Sequence, residues 1–286
     1  MNRMLTDIIA DTLKDSVRLL PFLFLTYLLM EFLEHRAGEA GRRRIGAARR
    51  SGPVWGALFG ILPQCGFSAA VSGLYAGRVV TAGTLLAVYL STSDEMLPIL
   101  ISQSVGIVRI ARILAVKAAI AALTGLAVDL VIRDGRKKKD PGHREHGHEG
   151  EHGCGGHLAL AALRHTAEVF LYIVLISFAL NAGIAAVGEE ALAGLFTGTP
   201  VLGSFAAALV GLIPNCASSV AITELYLSGV ITAGSMMSGL LVNAGVGLLV
   251  LLRLNKDRRE TLRIIGALYA LGVFWGLVIE LAGIVF

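Results

Sequence analysis

Two stretches of this chain place a proline, a side-chain amide and a thiol side by side in apolar surroundings. They read ILPQCGFS over 61–68 and LIPNCASS over 212–219. Gln64 and Asn215 offer amide oxygens, Ser68 and Ser219 offer hydroxyls, and Cys65 and Cys216 offer thiols. Oxygen donors suit hard cations, whereas thiols suit soft metals and metalloids. Carboxylates lie near these stretches in the sequence: Asp94 and Glu95 in STSDEMLP, and Glu224 eight residues beyond Cys216. Asn243, in LLVNAGVG, adds a further amide. A carboxylate in apolar sequence costs several kcal/mol if it lies inside a bilayer, so these residues are candidates for binding a polar cargo.

Each candidate has a plainer reading. The amides could cap interrupted helices, and the cysteines could pack as small apolar groups. Asp94 and Glu95 could sit solvated near an interface, and Glu224 could reach the surface. Asp129 and Glu280 lie near helix ends and are expected to be solvated. Lys117 stands in apolar sequence with no role assigned. A separate cluster, HREHGHEGEHGCGGH over 143–157, holds His143, His146, His148, His152, Cys154 and His157. Tracts of this kind bind transition metals weakly, or serve only as polar linkers.

Composition decides where these groups must work. The 286 residues are 55% hydrophobic and 16% charged, with a mean hydropathy of +0.71. Soluble domains carry about a quarter charged residues, so this is an integral membrane protein. The 34 glycines suit closely packed membrane helices. Three cysteines, two in apolar sequence and one in a polar loop, argue against a disulfide framework. The first eighteen residues show no signal-peptide pattern. The net charge of +4 sits in loops and points to no nucleic-acid partner.

The chain repeats itself at an offset of 151. Gly60, Pro63, Cys65, Ser68, Ala70, Leu74, Tyr75, Val79, Thr81, Ala82 and Gly83 all meet the same residue type again. Gly125 with Gly276 and Asp129 with Glu280 carry the match into the last helix. A duplication of this kind is a common build for a transporter core. Six arginines follow the first apolar run, and five basic residues lie in Arg253–Arg263, which occupies the other position in its repeat. By the positive-inside rule the two copies are therefore inverted. About 50 residues from Pro53 to Ser102 cannot make three spans of about 20 residues each. They fit a re-entrant hairpin, in to Gln64 and back to Gly77, followed by one crossing from Val79 to Ser102. Proline stops each inward arm, at Pro63 and Pro214. The expected fold is an all-α integral membrane protein of two inverted-topology repeats, each with a re-entrant or broken helical hairpin, about ten helical segments in all. The first repeat covers 1–132, a cytoplasmic basic and His-rich linker 133–157, and the second repeat 158–286.

With the ILPQCGFS and LIPNCASS pair, STSDEMLP and the His-rich loop, the chain resembles the ten-transmembrane heavy-metal exporters. Members of that family carry the labels arsenic efflux protein or manganese transporter. The resemblance covers nearly the whole chain and implies export of a toxic metal or metalloid, which is then a substrate and not a cofactor. The expected protein is a secondary transporter in the cell's inner (plasma) membrane, with lipid and a metal species as partners, a coupling proton, and homo-oligomers as an open option. Without a nucleotide-binding loop, an ion gradient is the default driving force. A small anion or organic solute held at half-helix N-termini is the alternative. A thiol hydrolase lacks a histidine base near either cysteine, since His35 and His165 lie at helix ends; no enzyme is expected.

Overall fold

The computed structural model describes residues 51–62, 65–93, 96–137 and 200–286, with single helical positions at 24, 163, 167, 170, 171, 174, 175 and 178. Gln64, Asp94, Glu95 and the His-rich loop 143–157 fall outside the described residues. The side chains of Cys65 and Cys216 do too, although both residues begin helices. Every described element is a helix. In the first half these are α1 (Gly52–Gly60), α2 (Cys65–Ala76), α3 (Ala82–Ser91), α4 (Met96–Ser102) and α5 (Ile107–Lys137). In the second half they are α6 (Pro200–Gly211), α7 (Cys216–Leu227), α8 (Ala233–Val242), α9 (Val246–Leu254) and α10 (Arg258–Leu281).

Among the described residues, four stretches are long and apolar enough to cross a membrane: Ala82–Ser102, Ile107–Ile132, Ala233–Leu254 and Arg258–Leu281. The first and third are largely enclosed by protein, while α5 and α10 expose most of their apolar surface. Leu123, Leu130, Leu262 and Phe274 are more than half exposed, as lipid-facing side chains would be. Among the described residues, a pair of enclosed, broken spans packs against two long, more exposed helices.

Glycine contacts fix the helix directions. Positions for a Cβ on Gly52, Gly56 and Gly60 fall successively against Thr84, Val88 and Ser91, so α1 runs parallel to α3. The chain between them, α2, must carry it back. α1 and α2 thus run in opposite directions, and α3 turns back along α1. The second half repeats the pattern, with Gly203 against Ser235 and Gly211 against Gly239. The returning arms end alike, in left-handed residues that terminate a helix, at Arg78 (φ 60) and Gly229 (φ 75).

The long helices run antiparallel to the ones they cover. Gly125 of α5 lies against Gly83 and Ala87 of α3, and Gly276 of α10 against Gly234 and Ser238 of α8. At Gly125 an added Cβ would stand 2.6 Å from the Gly83 carbonyl oxygen, which only glycine avoids. Close approach of this kind takes the place of the hydrophobic drive that is missing between helices in lipid.

Asp129 and Glu280 are not simply solvated, contrary to expectation. Asp129 accepts the Gly83 amide at 2.9 Å and the Thr81 hydroxyl at 2.6 Å, and Glu280 accepts the Gly234 amide at 3.2 Å. Each carboxylate caps the positive end of the helix it packs against. Thr81 and Thr232 cap the same two helices through Thr84 and Ser235. The 151-residue offset thus recurs bond by bond. Thr124 and Trp275, themselves 151 apart, touch at 3.0 Å.

The crossing expected as one helix from Val79 to Ser102 is interrupted. Thr92 leaves the α3 helix at φ −51, ψ 128, and its hydroxyl bonds back to Val88. The counterpart break follows Asn243, where Gly245 takes φ 53 and starts α9. Placing valine at Gly125 or at Gly276 should destabilise the protein by about 1–3 kcal/mol or more through overpacking. Thermal unfolding in detergent should show both variants melting well below the parent chain.

Candidate functional site

The two interrupted spans bring their breaks into one neighbourhood. A small chamber of about 10 Å³ is lined by Thr92, Ser93, Met96 and Lys117 from the first half and by Ser219, Leu240 and Asn243 from the second. That volume holds about one water molecule. Thr92 and Asn243 are repeat counterparts, so corresponding breaks face the same space. Lys117 is 1% exposed, and its ammonium donates to the Thr92 carbonyl at the C-terminus of α3. A helix C-terminus is an electronegative end with unpaired carbonyls, so this placement suits a cation.

The polar atoms around the chamber are ordered by local bonds. Thr92 donates its hydroxyl to Val88 at 2.8 Å, and Ser93 donates to Ser91 at 3.0 Å. Asn243 is 7% exposed; its carbonyl oxygen accepts the Gly245 amide at 2.9 Å and its amide donates to Ser218 at 3.3 Å. This pins the start of α9 to the first turn of α7. Ser218 in turn donates to the Asn215 carbonyl at 2.7 Å, which ties the α6–α7 turn into the same cluster.

The expected site residues are distributed unevenly. Asn215, Ser219 and Asn243 gather at or beside the chamber, each less than a tenth exposed. Ser68, 1% exposed, lies on α2 against Gly247 of α9, and its carbonyl accepts the Ser72 hydroxyl. Ser72 bonds Tyr89 at 2.6 Å, and Tyr89 donates to Gly247 at 3.1 Å, so a polar chain links α2, α3 and α9 across the halves. Glu224 is exposed on α7 and is not among the lining residues. Among the described residues, no three of His, Cys, Asp and Glu come together as a metal cluster.

The residue that sequence reasoning left without a role is Lys117. Its signal was present, as the one charge within the apolar run Ile113–Val128. Its repeat counterpart is Leu268, which is fully buried. The copies therefore differ at this position by one positive charge.

At one end of the molecule the halves are tied by an ion pair. Arg78, in the α2–α3 turn, meets Glu260 at the start of α10 in a two-pronged contact, both bonds 2.7 Å. The Tyr75 hydroxyl joins the same carboxylate at 2.6 Å. Hydrogen bonding to Glu260 raises the Arg78 guanidinium above its ordinary pKa. The Arg78 side chain is 57% exposed, so the pair fixes orientation more than it adds stability. The counterpart positions at the opposite end are Gly229 and Arg109, which line an open hollow of about 400 Å³ with Glu280.

Residues 4–202 match the model of the family described as "Putative, 10TM heavy-metal exporter". No curated protein and no solved structure matches the chain.

Asn243→Ala leaves the Gly245 amide and Ser218 without their shared partner and should cost about 1–3 kcal/mol. Asn243→Asp keeps the acceptor for Gly245 and should unfold at a temperature between those of the alanine variant and the parent, measured in detergent.

Proposed function

Because the chain belongs to the 10TM heavy-metal exporter family, we propose that it is a secondary transporter moving a heavy-metal ion or metalloid out of the cytoplasm. One central site would be exposed first to one face of the membrane and then to the other. The observation that carries this reading is the chamber at the two helix breaks, lined by side chains from both halves. A site that both copies of a duplicated fold share can change its exposure when one copy rocks against the other.

In this reading the two copies lie upside down relative to each other. Three observations support it. Arg78 places the start of α3 beside the start of α10. The 24 residues of α10 then rise about 36 Å, enough to span the membrane. At its far end Glu280 caps the start of α8, the repeat counterpart of α3. Corresponding helices would thus start on opposite faces. Five basic residues near Glu260 favour a cytoplasmic location for the Arg78 end. The His-rich loop, on the same face, would serve as a metal-collecting arm.

Gln64, Cys65, Asn215 and Cys216, at the hairpin turns, are proposed to meet the cargo together with Ser68, Ser219 and Asn243. Asp94 and Glu95 join Ser93 to Met96 in the chain and would supply negative charge to a divalent ion such as Mn²⁺. Arsenite would depend instead on the two thiols. A proton is the proposed counter-ion. A small anion is a second reading, favoured by the buried Lys117 ammonium and by the first turn of α7 bordering the chamber.

Cells lacking the gene should become sensitive to at least one of manganese, zinc, cobalt, arsenite and antimonite, and equal tolerance of all five would contradict export. Replacing Cys65 and Cys216 together by serine should abolish arsenite resistance if thiols bind the cargo, and should leave manganese tolerance largely intact if oxygens do.

A further inference from the structure

We infer that the Lys117 ammonium is a tethered cation: it fills the oxygen-lined centre of the empty transporter, and a cationic cargo enters by displacing it. The inference rests on the transport reading above and narrows its cargo to the cationic class.

Depth is the first argument. Lys117 lies ten residues into α5, about 15 Å along its axis and so near the middle of a hydrocarbon core of about 30 Å. A lysine buried there costs several kcal/mol unless its charge is met. Packing does not require it, because the fold accepts a fully buried leucine at the counterpart position 268.

The second argument is the polarity of the chamber. Thr92 and Ser93 have committed their hydroxyl protons to Val88 and Ser91, so their oxygens turn only lone pairs to other partners. The Thr92 carbonyl, at a helix C-terminus, already accepts the ammonium. The Asn243 amide donates to Ser218, and the backbone amide of Gly245 is taken by Asn243. The Thr92 carbonyl and the Thr92 and Ser93 hydroxyl oxygens therefore act as acceptors beside the space. Oxygens of this kind attract cations. An ammonium is a compact point charge, the side chain most like a bare metal ion in this role.

Size is the third argument. About 10 Å³ beside the ammonium admits one water or one small dehydrated cation, and no polyatomic oxyanion. A metal ion taking the place of the ammonium inherits oxygens that are already positioned. When the metal leaves, Lys117 returns and the centre is never left as unpaired acceptors.

The test is a titration of the purified full-length protein with MnCl₂ and, separately, with sodium arsenite, by calorimetry. Lys117→Met removes the competitor and should bind Mn²⁺ at least about tenfold more tightly than the parent, about 1.4 kcal/mol. Lys117→Leu, which copies the residue at position 268, should do the same, and Lys117→Arg should show no gain. Arsenite binding should not strengthen in any variant. Weaker or unchanged Mn²⁺ binding in both apolar variants overturns the inference, as does a loss of arsenite binding in them. Failure of both apolar variants to fold would make the charge structural and overturn it as well. Failure of the export reading shows elsewhere, in the metal tolerance of cells carrying the unaltered gene.

Discussion

A helix that stops inside hydrocarbon leaves up to four amides or four carbonyls without partners, and no water is there to take them. Much of the order in this protein answers that demand. The break after α3 gives a carbonyl to Lys117, and the break after α8 is held by Asn243 through Gly245. The starts of α3 and α8 are capped by Thr81 with Asp129 and by Thr232 with Glu280. Groups that sequence alone would assign to chemistry or to solvent are thereby spent on the backbone.

Duplication makes the solution repeatable. Gly83 with Gly125 and Gly234 with Gly276 bring paired helices close enough for each carboxylate to reach the next helix's first amides. Some departures from the repeat change a charged residue. Lys117 faces the centre where its counterpart is Leu268. Arg78 ties the halves at one end through Glu260, while Gly229 and Arg109 border an open hollow at the other.

Much of this was legible in the sequence. Pro214 marked the turn between α6 and α7. The 151-residue offset identified corresponding helices to the residue, because α2 and α7, and α3 and α8, start at that spacing. Two features were hidden for a physical reason. Thr92 breaks its span without a proline or glycine beside it, since the break is stabilised by Lys117, a residue 25 positions away. Asp129 and Glu280 looked like solvated ends because capping across helices depends on packing that no local pattern encodes. Glu224 was drawn toward the site by its distance from Cys216 along the chain, yet the face it occupies on α7 is exposed.

The central claim is that corresponding turns of the two copies open on opposite sides of the membrane. Gly77 and Ser228 are counterparts, both exposed in the turns that end α2 and α7. Each can be replaced by cysteine in a full-length chain whose Cys65, Cys154 and Cys216 are serine, and probed with a membrane-impermeant maleimide on intact cells and on inverted vesicles. The account predicts labelling of Ser228→Cys only from outside and of Gly77→Cys only from the cytoplasmic face. Labelling of both from the same face would contradict it.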